Sequence, residues 1–226
     1  MSRATLGGAR LIEKLSMILA ITYLAGIVNK SGQALKRATS RIVGLTNVQI
    51  IRQVPSKKQG SKTKHRFNDY FKGFEEVSAV REIFGQETHE VLARLRVEFL
   101  RSRSDYIWVS DEDGHLIANA NYLRDGETRE IYLDLIHELV HVKQFRDGRE
   151  IFLRIGKRFE YVDRPTELEA YKHTIKEARR LGMTDEEIVD YLRVTWLDEE
   201  EVGRLARNLG IMVSRKNDPV RRARIT

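Results

Sequence analysis

Two histidines four residues apart flank a glutamate in the stretch DLIHELVHVKQ. His137 and His141 are about one helical turn apart, so their imidazoles would lie on one helix face and could bind a single divalent cation. Glu138 points about 100° further around the helix, so its carboxylate would lie beside a bound cation without ligating it. There it could take a proton from a cation-bound water. The spacing indicates a hydrolytic metal site, and the alternative is a buried helix that happens to carry two histidines.

The pattern around the two histidines predicts a nearly buried helix with one polar stripe. We expect the helix to run from about Glu130 to Arg146 and to end at Asp147 and Gly148, where glycine favours a helix terminus. Seven apolar residues fill one broad arc of the helical wheel: Ile131, Leu133, Leu135, Ile136, Leu139, Val140 and Val142. The remaining side carries Asp134, His137, Glu138, His141 and Gln144. Such a stripe is expected to face a cleft.

Two histidines form an incomplete metal site, so a third ligand is expected. The chain contains no cysteine, which leaves His, Asp and Glu as the ligand types. Glu167 lies at the centre of the inward face of a predicted downstream helix, and we predict it as the third ligand. Glu169 points away from that face and could pair with Thr166 in a capping box. Glu169 and Asp134 remain the alternative third ligands. Three such ligands would leave Zn²⁺ a fourth position for water.

These residues resemble a known family. HELVH followed by ELEAY, with 25 residues between them, resembles the gluzincin metallopeptidases, and the small stand-alone members are the nearest comparison. The second segment is similar to the Glu-x-x-Ala-Asp pattern of the family, with Tyr171 in place of the aspartate. The resemblance implies zinc-dependent peptide hydrolysis, with His137, His141 and Glu167 as ligands and Glu138 as general base.

The resemblance also implies a place for a peptide substrate. The stretch IANANYL resembles the upper-rim strand of the family, so an extended substrate is expected to pair with an exposed strand edge at Ala118, Asn119, Ala120, Asn121 and Tyr122. The group that stabilises the transition state is not assigned by the sequence. Its candidates are Tyr161, Tyr171 and His173.

The remaining pattern predicts an α+β fold. We expect strands at 47–54, 96–100, 105–110 and 115–123, with a turn at 111–114, a helix at Thr88–Leu95 and a hairpin around Gly156. Helices are predicted at 167–180, 185–193 and 199–208, capped by Thr166, Thr184 and Asp198. Together with the resemblance, this predicts a zincin-like domain in which a small mixed sheet packs on the HExxH helix, followed by a helical C-terminal subdomain.

Charge divides the chain into three parts. The net charge of +7 comprises about +12 in residues 1–74, −9 in the middle and +4 in residues 215–226. We predict a basic N-terminal extension at 1–66 with a flexible linker at 56–65, a catalytic domain at 67–214 and a basic tail at 215–226. The two basic segments could bind nucleic acid or, for the first, fold over the acidic body as an inhibitory arm.

An uncharged run at 15–29 predicts a helix at Leu15–Val28. Fifteen residues are too few to cross a bilayer, so this helix is expected to be buried, to contact a partner or to lie on a membrane, and a cleaved signal segment is the remaining alternative. A cytoplasmic location is the resulting expectation. Two functions follow from the sequence: a zinc peptidase that acts on peptides or proteins, or a nucleic-acid-associated assembly protein that uses a zincin fold as scaffold.

Overall fold

A computed structural model describes residues 47–55, 63–101, 106–148 and 159–212 of the 226-residue chain. The described residues form a mixed α+β fold in which short strands precede and alternate with helices. The strands are β1 (Gln49–Ile50), β2 (Lys64–Arg66), β3 (Phe71–Lys72), β4 (Arg96–Leu100), β5 (Ile107–Val109) and β6 (Leu116–Asn119). The α-helices are α1 (Phe67–Tyr70), α2 (Ser78–Phe84), α3 (Thr88–Arg94), α4 (Ala120–Asp125), α5 (Thr128–Arg146), α6 (Pro165–Arg180), α7 (Asp185–Leu192) and α8 (Glu199–Asn208).

Four strands form the main sheet in the order β2-β4-β6-β5, and β1 pairs with β3 separately. Strand β6 is parallel to β4 and antiparallel to β5, while β2 is antiparallel to β4. The sheet is therefore mixed, and β5 is one of its two edges. Strand β2 also brings Lys64 and His65, which the sequence placed in a flexible linker, into the sheet.

Helix α5 lies against β5 and α6 and is buried along most of its length. Its apolar residues join a core that includes Val97 of β4 and Leu116 and Ala118 of β6. Near the start of α5, the ring of Tyr132 packs on that of Phe74, with centroids 5.7 Å apart. The predicted amphipathic pattern of α5 is thus confirmed, because its apolar arc is buried between the sheet and the neighbouring helices.

The start of α5 is held by Arg52 from the segment that precedes the sheet. Its guanidinium donates hydrogen bonds to the carbonyl oxygens of Gly126 (2.8 Å) and Arg124 (3.2 Å) and to the hydroxyl of Thr128 (2.6 Å). These contacts join residues more than 70 positions apart in the chain. They fix the loop from which α5, and with it the histidine pair, extends.

Several predicted elements are confirmed at close to their expected bounds. These are the helix at Thr88–Arg94, the strands within 96–100 and 105–110, and the last two helices with their caps. Thr184 and Asp198 each form a capping box with the glutamate three residues later. Gly148 adopts φ +74° directly after α5, as the C-terminal signal predicted.

Three local predictions are wrong. The strand expected at 115–123 ends at Asn119, whose side chain accepts a hydrogen bond from the backbone N–H of Asn121 and so starts helix α4. The strand expected at 47–54 is reduced to Gln49–Ile50. Thr166 is not an N-cap, because Pro165 occupies the first helical turn and Arg164 precedes it as the cap.

Other predictions concern residues outside the described ranges. They include the helix at Leu15–Val28, most of the linker, most of the hairpin around Gly156 and the tail at 215–226. Among the described residues, none of the helices combines the length and the apolar character needed to cross a bilayer.

The turn between β5 and β6 packs on α5 at Gly114, and a substitution there can test this contact. Gly114 has φ +74°, and a Cβ atom there would collide with the ring of Phe145 near the end of α5. We expect Gly114→Ala to reduce the free energy of unfolding by about 2 to 4 kcal/mol, combining backbone strain with displacement of the ring. Gly210→Ala is the control, since Gly210 has φ +67° with no described atom near its Cβ position. Equal losses in the two variants, measured by denaturant unfolding, would contradict the packing.

Candidate metal centre

Helices α5 and α6 carry the predicted ligands and pack against each other in opposite directions. Near the start of α5, the hydroxyl of Tyr132 donates to Glu177 Oε1 (2.8 Å) near the end of α6. Near the end of α5, Gln144 Nε2 donates to the carbonyl oxygen of Thr166 (3.0 Å) near the start of α6. The first turn of α6 therefore lies opposite the histidine pair, and this arrangement brings Glu167 to it.

Three potential ligand atoms converge between the two helices. Glu167 Oε2 lies 3.3 Å from His137 Nε2 and 3.4 Å from His141 Nε2, and the two nitrogen atoms are 3.0 Å apart. All three side chains are at least nine-tenths buried. Ligands in a tetrahedral zinc site, at about 2.0–2.1 Å from the ion, are separated by about 3.4 Å. The spacing of the three atoms therefore fits a zinc ligand set.

The polar atoms of this cluster are incompletely satisfied by protein groups. Glu167 Oε2 is buried and accepts no hydrogen bond from the described residues, although both imidazole nitrogens are close to it. Two imidazole nitrogens facing each other at 3.0 Å share at most one proton between them. A divalent cation would satisfy the carboxylate and both nitrogen lone pairs at once. The residues thus fit a bound metal ion.

Glu138 lies beside this cluster. Its carboxylate belongs to the same group as the two histidines, with potential ligand atoms within 4.8 Å of one another, and it accepts a hydrogen bond from the backbone N–H of Val109 on β5. Glu167 is closer to both imidazoles and lies between them, so it is the stronger candidate for a third ligand, with Glu138 beside the cluster. Burial raises the pKa of Glu138 to about 8.

Gln144 supports His141 from behind. Its Oε1 lies 2.8 Å from His141 Nδ1, while its Nε2 also donates to Glu169 Oε2 at 3.0 Å. Because the amide oxygen can only accept, His141 Nδ1 carries a proton, and the neutral ring would therefore present the lone pair of Nε2 to a bound cation. Gln144 therefore supplies the orienting contact that the sequence did not identify. Glu169 takes part in this contact and is not placed as a ligand.

Removal of this orienting contact gives a specific prediction. We expect Gln144→Leu to weaken zinc binding by about 10- to 100-fold, because His141 loses the acceptor that fixes its tautomer. Competition with a zinc-binding dye would measure the affinity. Gln86→Leu, at an exposed position outside the cleft, is the control and should retain the wild-type affinity. An unchanged affinity in Gln144→Leu would show that His141 needs no such support.

Electrostatic coupling links the three ligand residues. Burial lowers the pKa of His137. Burial acts in the same direction on His141, but the adjacent Glu167 carboxylate outweighs it and raises that pKa to about 9. Burial would raise the pKa of Glu167, but its contacts with the two imidazoles reverse the effect and hold the pKa well below its usual range. Without a metal ion, the cluster therefore retains a proton that a cation would displace.

The cluster opens into a cleft with a volume of about 810 Å³. Its walls include Tyr161 and Tyr171, whose hydroxyl oxygens are 3.2 Å apart, and the Tyr171 ring contacts that of His137 with centroids 4.5 Å apart. Burial raises the pKa of both tyrosines, so their hydroxyls stay protonated as donors. His173 does not line the cleft.

The free edge of the sheet beside the cleft is β5. The N–H of Ser110 donates to His115 and the carbonyl of Tyr106 accepts from Asn119, so alternate backbone groups of this strand face β6. The backbone N–H and C=O groups of Ile107 and Val109 point away from β6, towards the cleft that these residues line. The expected exposed edge at 118–122 is wrong, because β6 lies between two strands and residues 120–122 are helical.

Residues 118–122, which the sequence predicted as the substrate-binding edge, lie elsewhere in the fold. Ala118 and Asn119 are buried within the sheet and its cap, while Ala120 and Asn121 begin α4. Tyr122 does line the cleft, where its hydroxyl donates to Asp134 at 2.5 Å. The sequence placed β5 and β6 in one hairpin but carried no signal for which of them lies at the edge.

No protein-family model matches the chain, and comparison with curated proteins and with solved structures gave no significant match. The assignment of the site therefore depends on its own geometry.

Proposed function

We propose that this protein is a zinc-dependent peptidase of the gluzincin type with a zincin-like fold. One observation carries the proposal: His137 Nε2, His141 Nε2 and Glu167 Oε2 lie within 3.4 Å of one another, next to Glu138 and inside an open cleft. A structural zinc site would be closed by a fourth protein ligand. Here the three atoms face a cavity large enough for a peptide segment.

The residues around the cluster have the roles that peptide hydrolysis needs. Zinc, when bound by the three ligands, supplies a water of lowered pKa and a Lewis acid for the scissile carbonyl. Glu138 would take a proton from the attacking water and deliver it to the leaving amine. The Val109 N–H holds the Glu138 carboxylate in place. Tyr161 and Tyr171 carry hydroxyl groups in the cavity that also contains the cluster, and we assign them to stabilise charge on the carbonyl oxygen.

Strand β5 supplies the docking edge for the peptide. The N–H and C=O groups of Ile107 and the C=O of Val109 face the cleft, so an extended peptide can add to the sheet through main-chain hydrogen bonds. Because these bonds use backbone groups alone, the edge accepts many sequences. Specificity must then come from the side chains that line the cleft.

The alternative, a nucleic-acid-associated assembly protein, depends on residues 1–66 and 215–226, most of which lie outside the described ranges. The described residues favour the peptidase, because a scaffold has no need for a buried carboxylate beside two buried imidazoles. Steep salt dependence of nucleic-acid binding, lost when both basic segments are removed, would support the alternative as an additional activity.

The test is hydrolysis of a diverse mixture of unstructured peptides by the zinc-loaded protein, with the products identified by mass spectrometry. We expect defined internal cleavages that disappear with a zinc chelator and return when zinc is added back. Failure of the zinc-loaded protein to cleave any peptide in the mixture would overturn the proposal.

A further inference from the structure

One half of the cleft carries more negative charge than the metal site requires. Glu130, Asp134 and Glu138 follow one another at intervals of four residues on α5, so their carboxylates form a row that leads from the catalytic position to the start of the helix. Asp190 from α7 lines the same cavity. Of these acids, only Glu138 has a role in the proposed hydrolysis. Asp190 is paired with Arg193, which leaves Glu130 and Asp134 available to recognise a ligand.

Two of these carboxylates, those of Glu130 and Asp134, are not neutralised by a lysine or arginine among the described residues. Asp134 accepts hydrogen bonds from the hydroxyls of Tyr122 (2.5 Å) and Tyr191 (2.8 Å), which are uncharged donors. Within the described ranges, no lysine or arginine forms an ion pair with Glu130 or Asp134. Arg193 also lines the cavity, but it is shared between Asp190 and Glu199, the latter at 2.9 Å.

Aromatic rings enclose the same half of the cleft. Tyr106, just before β5, contacts Tyr122 with centroids 4.9 Å apart and Trp196 with centroids 5.6 Å apart. Trp196 belongs to the segment after α7 and is 51% exposed, so its contact with Tyr106 joins the two sides of the cleft at its mouth. Aromatic faces beside carboxylates form a favourable environment for an ammonium or guanidinium group.

The direction of β5 determines which part of a peptide reaches this half. The strand begins near Asp134, where Tyr106 and Tyr122 are in contact, and ends at Val109, which binds Glu138. A peptide added antiparallel to β5 therefore runs from the Glu138 end towards the Asp134 end. The residue that follows the cleaved bond is directed to the acidic, aromatic half.

The metal cluster marks the inner end of the same cavity as a ligand site. Glu167 is 7% exposed and lines the cleft, and its Oε2 has no hydrogen-bond partner among the described residues. An unsatisfied buried carboxylate oxygen is costly unless a bound group completes its contacts. The acidic row therefore lines the same cavity as the candidate metal site.

We propose that the half of the cleft lined by Glu130, Asp134, Tyr106 and Trp196 binds a lysine or arginine side chain that directly follows the cleaved bond. The substrates are then basic peptides, cut on the amino side of the basic residue. This inference rests on the proposed peptidase function and adds its substrate class. It differs from a preference for apolar side chains, which the row of carboxylates disfavours because they would be desolvated without a partner.

The direct test compares three peptides that differ only in the residue after a single cleavable bond: lysine, norleucine or glutamate. With zinc-loaded protein at pH 8 and low salt, we expect kcat/KM to be at least about 10-fold higher for lysine than for norleucine, and lowest for glutamate. The preference should appear mainly in KM and should weaken as salt is added. Norleucine matches the lysine stem, so the comparison isolates the charge.

Two variants connect the preference to the cleft. Glu130→Gln, at an exposed position, and Asp134→Asn should each reduce the ratio of lysine to norleucine by about 3-fold or more. Glu186→Gln removes an equivalent charge from an exposed position on α7 that does not line the cleft, and it should keep the wild-type ratio. The ratio within each variant corrects for changes in overall activity.

A binding measurement separates this inference from the proposed function. Fluorescence anisotropy of the labelled peptides with Glu138→Gln protein reports recognition without cleavage, and we expect the lysine peptide to bind at least about 10-fold more tightly than the norleucine peptide. Selective binding without cleavage by the wild-type protein would overturn the peptidase proposal and leave this inference intact. Cleavage with equal preference, or with a preference for lysine before the bond, would overturn the inference alone.

Discussion

Replacement of Glu138 with glutamine is expected to reduce peptide hydrolysis by about 10²- to 10⁴-fold while zinc binding is retained. The amide matches the carboxylate in size but cannot accept a proton from the attacking water. It can still accept the Val109 N–H through its oxygen, so the local structure should persist. Steady-state cleavage of a fluorogenic peptide gives the rate, and elemental analysis of the same sample gives the zinc content.

A matched control and a contradicting outcome can be stated for Glu138→Gln. Glu169→Gln is the matched substitution on α6, and it should remain far more active than Glu138→Gln because Glu169 contacts Gln144 and not the reacting groups. If Glu138→Gln retained full activity with zinc bound, Glu138 would not be the base. The role would then pass to another cleft acid, of which Asp134 is the nearest along α5.

Loss of the ligand His141 or of the ligand Glu167 should abolish stable zinc binding. We expect His141→Ala and Glu167→Ala each to weaken zinc affinity by more than about 100-fold, a larger effect than loss of a supporting contact such as that of Gln144. Zinc should also raise the midpoint of thermal unfolding of the wild-type protein, because it binds the folded state, and should leave these variants almost unchanged. Competition titration and thermal unfolding measure the two effects.

His173→Ala is the control for the histidine substitution. His173 lies on α6 and is half-buried outside the cleft, so its loss should leave zinc affinity unchanged. Wild-type zinc affinity in Glu167→Ala would contradict the ligand assignment directly. The site would then consist of the two histidines with Glu138, which lies in the same group of potential ligand atoms.

The placement of the candidate site residues could be predicted from the sequence because it depends on helical periodicity. His137, Glu138 and His141 lie within one turn of a helix, and their relative directions follow from 3.6 residues per turn. Glu167 could be distinguished from Glu169 for the same reason, since only one of them faces inward. The structure places Glu167 next to both imidazoles, as the prediction required.

The parts that could not be predicted depend on contacts between distant segments. The order of strands in the sheet is set by tertiary packing, so no local pattern indicates that β5 and not β6 forms the edge. The support of His141 by Gln144 depends on how α5 meets α6, and the contact of Trp196 with Tyr106 joins residues 90 positions apart. Asn119 acts as a helix cap within a stretch whose alternating pattern resembles a strand.

X-ray absorption at the zinc edge reports the identity and distance of the atoms that bind the ion. For protein purified with zinc and dialysed, we expect one zinc per chain, with two imidazole nitrogens at about 2.0–2.1 Å and the remaining ligands oxygen. Zinc that binds without imidazole ligands, or a reconstituted protein that retains no zinc after dialysis, would contradict this expectation.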